Sequence, residues 1–222
     1  MPPTWTILVP TLGERRALFE RLMEGLLPQT DRHDGAVRVV AWHNNGSPSL
    51  PKIRQTMVMG TTTDYLCFVD DDDLVAPGYV DLVTEALEAR PDYVGFQVQC
   101  YSDGHPTAVS YHSLEYSRWR NLPTHYERDI SHINPIRTVL AKRANFTVAG
   151  RRAEDRVWAD QLRRSGLLKT QVMVPRILYH YLYSTSSTPG EGSRWQVPKS
   201  ITYNAWRSVI DNPNFTWMDG AT

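Results

Sequence analysis

Cysteine is scarce in this chain, with two among 222 residues, Cys67 and Cys100. Both lie in apolar stretches. Two isolated thiols give neither a disulfide framework nor a metal-ligand spacing, so they read as buried, reduced side chains. Net charge is absent too: 24 basic side chains face 24 acidic ones. Nothing global therefore attracts a polyanion, which speaks against a dedicated nucleic-acid binder. A local basic run at Arg151-Arg152, Arg156 and Arg163-Arg164 reads either as a solvated helix face or as a small patch. No apolar run approaches the ~20 residues that span a bilayer. The amino terminus lacks a charged segment leading into a long apolar one. The expectation is a soluble, cytoplasmic protein (in the host cytoplasm if phage-encoded).

Hydrophobic residues make up 41% of the chain, enough for a core of ordinary domain size. Residues 4–10 (TWTILVP) form a short β-rich run. Residues 13–27 carry Leu18, Phe19, Leu22 and Leu26 at helical spacing. Strand patterns recur at 36–42, 64–70 and 92–100, with helical patterns at 51–60 and 77–89. This alternation predicts an α/β fold with a mostly parallel sheet flanked by helices. Residues 101–131 are rich in His, Tyr and Trp and read as an irregular region with short strands. A helix is expected over 156–165, and strands at 168–174 and 176–183 on either side of Pro175. The stretch STSSTPGEGS at 184–193 reads as a mobile loop, and 201–210 as an amphipathic helix.

The chemistry concentrates where the predicted strands end, which is where open α/β sheets place their sites. There stand Pro10-Thr11, the loop His43-Asn44-Asn45-Gly46-Ser47, and four consecutive aspartates, Asp70–Asp73. Like charges repel, and each carboxylate that leaves water does so at a cost. Alternate residues of an extended chain face one way, so Asp70 and Asp72 point to one site while Asp71 or Asp73 braces the turn. Carboxylate oxygens suit Mn²⁺ or Mg²⁺ shared with a diphosphate. The competing reading makes Asp73 the cap of the helix near Pro77, which accounts for one aspartate of the four.

With those residues in view, the chain resembles a family 2 glycosyltransferase of GT-A (Rossmann-like) fold. The pieces are ILVPT at Ile7–Thr11, KIRQ at Lys52–Gln55, FVDDDDLVAPGYV at Phe68–Val80 and AEDRVWADQLRRSG at Ala153–Gly166. The resemblance implies a nucleotide-sugar donor, UDP favoured, a divalent ion, and inversion. It implies one domain: residues 1–100 bind the donor, 101–183 form the acceptor and catalytic half, and 184–222 hold the loop and last helix. Pro10, Thr11 and Glu14 match the loop that lines the base. Arg54 matches a basic residue near base or phosphates. Asp70 and Asp72 match the ends of a DXD motif, with Asp71 between them; in the family the first usually touches ribose or sugar and the last binds the metal, which implies an ion held by Asp72 with Asp70 and His180 as further ligands. Glu154-Asp155 matches the pair that supplies the general base, Asp155 favoured; its other reading is a helix-dipole pair. His180 matches a late histidine that ligates metal in some members, or is a packed strand residue. Asn44-Asn45 stands where the family commonly has aspartate, so the identity of the base stays open.

Two other functions compete. A nucleotidyltransferase would want a glycine-rich early loop with lysine, whereas LGERR has one glycine and no lysine. A non-catalytic sugar-nucleotide-binding module fits the Asn44 departure but leaves Glu154-Asp155 without a purpose. The acceptor is a glycan, a protein or a modified DNA base, and the aromatic stretch 111–136 is where it would be read.

Overall fold

The computed structural model describes residues 1–44, 47–148, 153–184 and 212–219. The first half runs β1 (Trp5–Leu12), α1 (Arg16–Thr30), β2 (Val37–Asn44), α2 (Leu50–Gly60), β3 (Tyr65–Phe68), β4 (Leu74–Val75), α3 (Tyr79–Glu88) and β5 (Tyr93–Ser102). There follow β6 (His105–His112), β7 (Arg120–Asn121), β8 (Tyr126–Arg128), β9 (Ile136–Arg137) and α4 (Thr138–Ala141). Then come α5 (Glu154–Ser165), β10 (Gln171–Tyr183) and β11 (Phe215–Asp219). The mobile loop expected from Ser184 to Ser193 lies, beyond its first residue, outside the described residues. So do the helix expected at 201–210, and Asn45, Gly46, Arg151 and Arg152.

One mixed sheet organises the chain, in the order β11-β2-β1-β3-β9-β5-β6-β8-β7, with β10 joined to β5 and β4. Strands β11, β2, β1 and β3 are parallel. Antiparallel pairing enters with β9 and with the β5–β6 hairpin. Alternation along β1 assigns its faces: Trp5, Ile7 and Val9 pack with Phe19, Leu22 and Leu87. Leu8 packs on the opposite side with Ile53, Met57, Trp158 and Leu162. Each face is thus covered by helices, as a parallel sheet requires.

β10 is one strand, not the expected two. Its pairing with β5 shifts register between Val174 and Ile177 and again between Ile177 and Tyr179. Pro175 has no N–H to give to a ladder, and a bulge absorbs that loss without ending the strand. β11 was not foreseen; it adds a parallel edge beside β2 and brings Trp217 to the site edge.

Candidate active site

β3 delivers the acidic loop. The strand ends at Phe68, and the Asp73 N–H donates to the Asp70 carbonyl at 3.1 Å, closing a tight turn. Asp73 braces that turn from within. Its carboxylate accepts from the Tyr179 hydroxyl at 2.7 Å and from the Leu182 N–H at 2.8 Å. Burial, with Asp72 and Asp70 nearby, holds its carboxyl well above the usual range. It caps no helix: α3 begins after Gly78 without a side-chain cap. Asp71 is buried and salt-bridged to Arg15 at 2.8 Å. Asp72 lies 3.3 Å from the same guanidinium and is partly exposed. Burial pushes the Asp72 carboxyl up to about 6; Arg15 opposes the shift, and Asp70 and Asp71 add to it. The partly exposed Asp72 carboxylate offers hard oxygen ligands, the donor type a divalent cation takes.

Arg54 of α2 ties the loop to the second half of the chain. It is 5% exposed. It donates to Asp70 at 2.7 Å and to Glu154 at 3.0 Å. Burial alone would push the Asp70 carboxyl up, but Arg54 and His132 hold it well below the usual carboxylate range. Ala153 adopts φ 63, a left-handed turn into α5 that sets Glu154 in the first helical turn, where it meets Arg54. Glu154 is therefore a buried ion-pair partner, while its neighbour Asp155 is part-exposed and lines a cavity.

Between the two carboxylates stands His132. Its Nε2 is 3.4 Å from Asp70 and its Nδ1 3.8 Å from Asp155. The Nδ1 is buried and has no hydrogen-bond partner. The ring leans on Phe68, centroids 5.9 Å apart, and the Phe68 N–H donates to the His132 carbonyl. Asn134 pins the loop: it donates to the Val94 carbonyl at 3.0 Å and accepts from His112 Nδ1 at 2.7 Å.

One cavity opens on this cluster, and a second lies beside the end of β1. One, about 480 Å³, runs from Asp70, His132 and Asp155 out between Trp119, Tyr126 and Tyr181. The other, about 400 Å³, lies against Thr11, Gly13, His43 and Trp217, whose ring stacks on His43 at 5.7 Å. A Cβ at Gly13 would come within 2.8 Å of the His43 ring, which would have to shift.

The predicted residues divide accordingly. Arg54, Asp70, Glu154 and Asp155 come together, and Pro10 and Thr11 sit buried at the end of β1. Glu14 is exposed on the short turn before α1. Asn44 is buried and donates to the Pro48 carbonyl at 3.1 Å. Asp70, Asp72 and His180 do not assemble into one ligand cluster; among the described residues no group of three His, Cys, Asp or Glu side chains does. The reason is local: Asp70 is engaged by Arg54 and His132, and His180 Nδ1 lies 3.3 Å from the Tyr101 hydroxyl.

No protein-family model matches this chain, and no curated protein does. Solved structures do. The chain has a GT-A glycosyltransferase fold. S. aureus TarS 1-349 in complex with UDP-GlcNAc superposes with a TM-score of 0.60 at 12% identity, over 86% of this chain and 61% of that one. TarS 1-349 without that ligand gives 0.57 at 14% identity, over 81% and 60%. GalNAc-T7 with UDP, GalNAc and Mn²⁺ gives 0.58 at 11% identity, over 82% and 44%. The chain spans about three-fifths of the TarS 1-349 structures, and at these identities the likeness is one of fold. Among the described residues no helix is long and apolar enough to cross a membrane.

Proposed function

We propose that the chain moves a sugar from a nucleotide-diphosphate sugar, UDP favoured, to an acceptor hydroxyl, with inversion at the anomeric carbon. The observation that carries this reading is the meeting of Asp70 and Asp155 across one imidazole at the carboxyl edge of a GT-A fold. The base enters the cavity of Thr11, His43 and Trp217, and Pro10, Glu14 and Asn44 on the neighbouring strand ends and turn belong to the same donor site. Asp70, held ionised by Arg54, faces ribose or sugar. Asp72 would hold a divalent ion, while His180 stays with Tyr101. When bound, Mn²⁺ or Mg²⁺ offsets the negative charge that grows on the leaving diphosphate.

The rest is done by the chain itself. The Asp155 carboxylate takes the acceptor proton as the acceptor oxygen attacks the anomeric carbon. The bond from that carbon to the diphosphate oxygen breaks, and its electron pair leaves with the diphosphate. Attack from the face opposite the leaving group inverts the centre. His132 is a positioning residue that keeps the donor-side and acceptor-side carboxylates in fixed relation.

Donor turnover tests the reading. Purified protein with a UDP-sugar and Mn²⁺ should release UDP, and Asp155→Asn should lower kcat by roughly 10²–10⁴-fold with UDP affinity kept. Near wild-type turnover in that variant would remove Asp155 from the role. Pyrophosphate release from a nucleoside triphosphate would instead indicate a nucleotidyltransferase, and donor binding without any turnover a non-catalytic module.

A further inference from the structure

The larger cavity names an acceptor class. Resting on the transferase reading above, we infer that the acceptor is a neutral carbohydrate whose terminal ring lies against Tyr181 and Tyr183, with one hydroxyl at Asp155.

Four observations carry this. First, the volume of about 480 Å³ is that of a small-molecule seat, and it opens directly onto Asp155. Second, its walls are aromatic: Tyr101, Trp119, Tyr126, Tyr181 and Tyr183. Tyr181 and Tyr183 are 44% and 51% exposed and stand two residues apart on β10. Aromatic faces take the C–H face of a sugar ring, and their hydroxyls bond its rim.

Third, Ser110 also lines the cavity. It is 3% exposed, and its hydroxyl has no hydrogen-bond partner. Buried hydroxyls are ordinarily satisfied, so a ligand hydroxyl is the natural complement. Fourth, the charge is wrong for a phosphate chain. The floor carries Asp70, Asp73 and Asp155. Arg128, the arginine of the lining among the described residues, is already engaged. It donates to the Arg120 and Glu127 carbonyls and to Asn121, and it stacks over Trp119 at 4.9 Å and Tyr126 at 5.1 Å. A polyanion such as DNA would meet carboxylates there, and a guanidinium already committed to other partners.

The test follows UDP release from UDP-glucose, UDP-galactose and UDP-N-acetylglucosamine with Mn²⁺ and three kinds of acceptor. These are 4-nitrophenyl mono- and disaccharides, a duplex containing 5-hydroxymethylcytosine, and a Ser/Thr peptide. Release without acceptor reports the transferase reading alone. The inference expects a 4-nitrophenyl glycoside to stimulate release. It expects Tyr181→Ala or Tyr183→Ala to raise that acceptor's KM about tenfold, well beyond any change in kcat. Tyr181→Phe should recover most of the loss. Folding of each variant is checked by its melting temperature.

Stimulation by DNA or peptide with none by any glycoside overturns the acceptor class and leaves the transferase intact. The acceptor class also falls if donor turns over but no glycoside stimulates, or if acceptor KM is unmoved in both tyrosine variants. Absence of both donor binding and donor turnover overturns the transferase reading, and this inference with it.

Discussion

Removing the Arg54 side chain strands two carboxylates at once. Its guanidinium is the shared partner of Asp70 and Glu154, both of which lose water when the chain folds. Breaking a buried pair by deleting one member costs about 3–5 kcal/mol, because the remaining charge stays buried. For a chain of this size that is a fall in melting temperature of roughly 6–20 °C. Arg54→Met should show it, and adding Glu154→Gln should recover part of the loss, since the second stranded charge is gone. A melting temperature unchanged in Arg54→Met would refute the network. The sequence motif around Arg54 suggests contact with the donor, and in the folded chain Arg54 also ties Asp70 to Glu154. His132 was legible only as part of an aromatic-rich loop. Nothing in HINPIRT says that its imidazole ends between Asp70 and Asp155, because that depends on a contact across 62 residues of chain.

At the scale of elements, the strand that carries His112 ties the active-site loop to the sheet. The His112 ring is buried, stacks on Phe96 and donates to Asn134, which in turn pins the loop of His132. Burial pushes the imidazole down to about 4, against the help of Asn134. The folded state thus favours neutral His112, while the unfolded chain protonates it near pH 6.5. The sign follows: below that pH the unfolded state binds the extra proton, so stability falls as pH drops from about 6.5 to about 4. The loss approaches about 3 kcal/mol at the lower end. His112→Gln keeps an amide donor for Asn134 without the titration, and should flatten melting temperature against pH across that window. An equally steep profile in the variant would exclude His112 as its source. Elements read well from sequence where one pattern decides them. Leu18, Leu22 and Leu26 announce α1, and the first four strands expected from the sequence fall within about two residues of β1, β2, β3 and β5. β10 misled because Pro175 looks like a break, whereas pairing with β5 before and after it holds the strand through. β11 was missed because its partner, β2, is far away in sequence.

Across the whole molecule, the parallel half and the aromatic, antiparallel half meet at one edge. Arg54, His132 and Tyr179 are side chains that join them: Tyr179, from β10, accepts from the Asp70 N–H and donates to Asp73. This explains how four aspartates persist at the end of a buried strand. Asp73 is bonded within the core, Asp71 is paired to Arg15, Asp70 to Arg54, and Asp72 is left partly open with its carboxyl raised to about 6. In the proposed function that last position is the one that would take a cation. Net charge of zero adds no general attraction for polyanions.

The most direct test is thermal unfolding with UDP and other nucleoside diphosphates, with and without Mn²⁺. A ligand that binds only the folded state raises the melting temperature in proportion to the logarithm of its concentration over Kd. The account predicts a rise with UDP that needs Mn²⁺ and is abolished by Asp72→Asn. A melting temperature that no nucleotide shifts, or a UDP shift indifferent to both Mn²⁺ and Asp72, would contradict it.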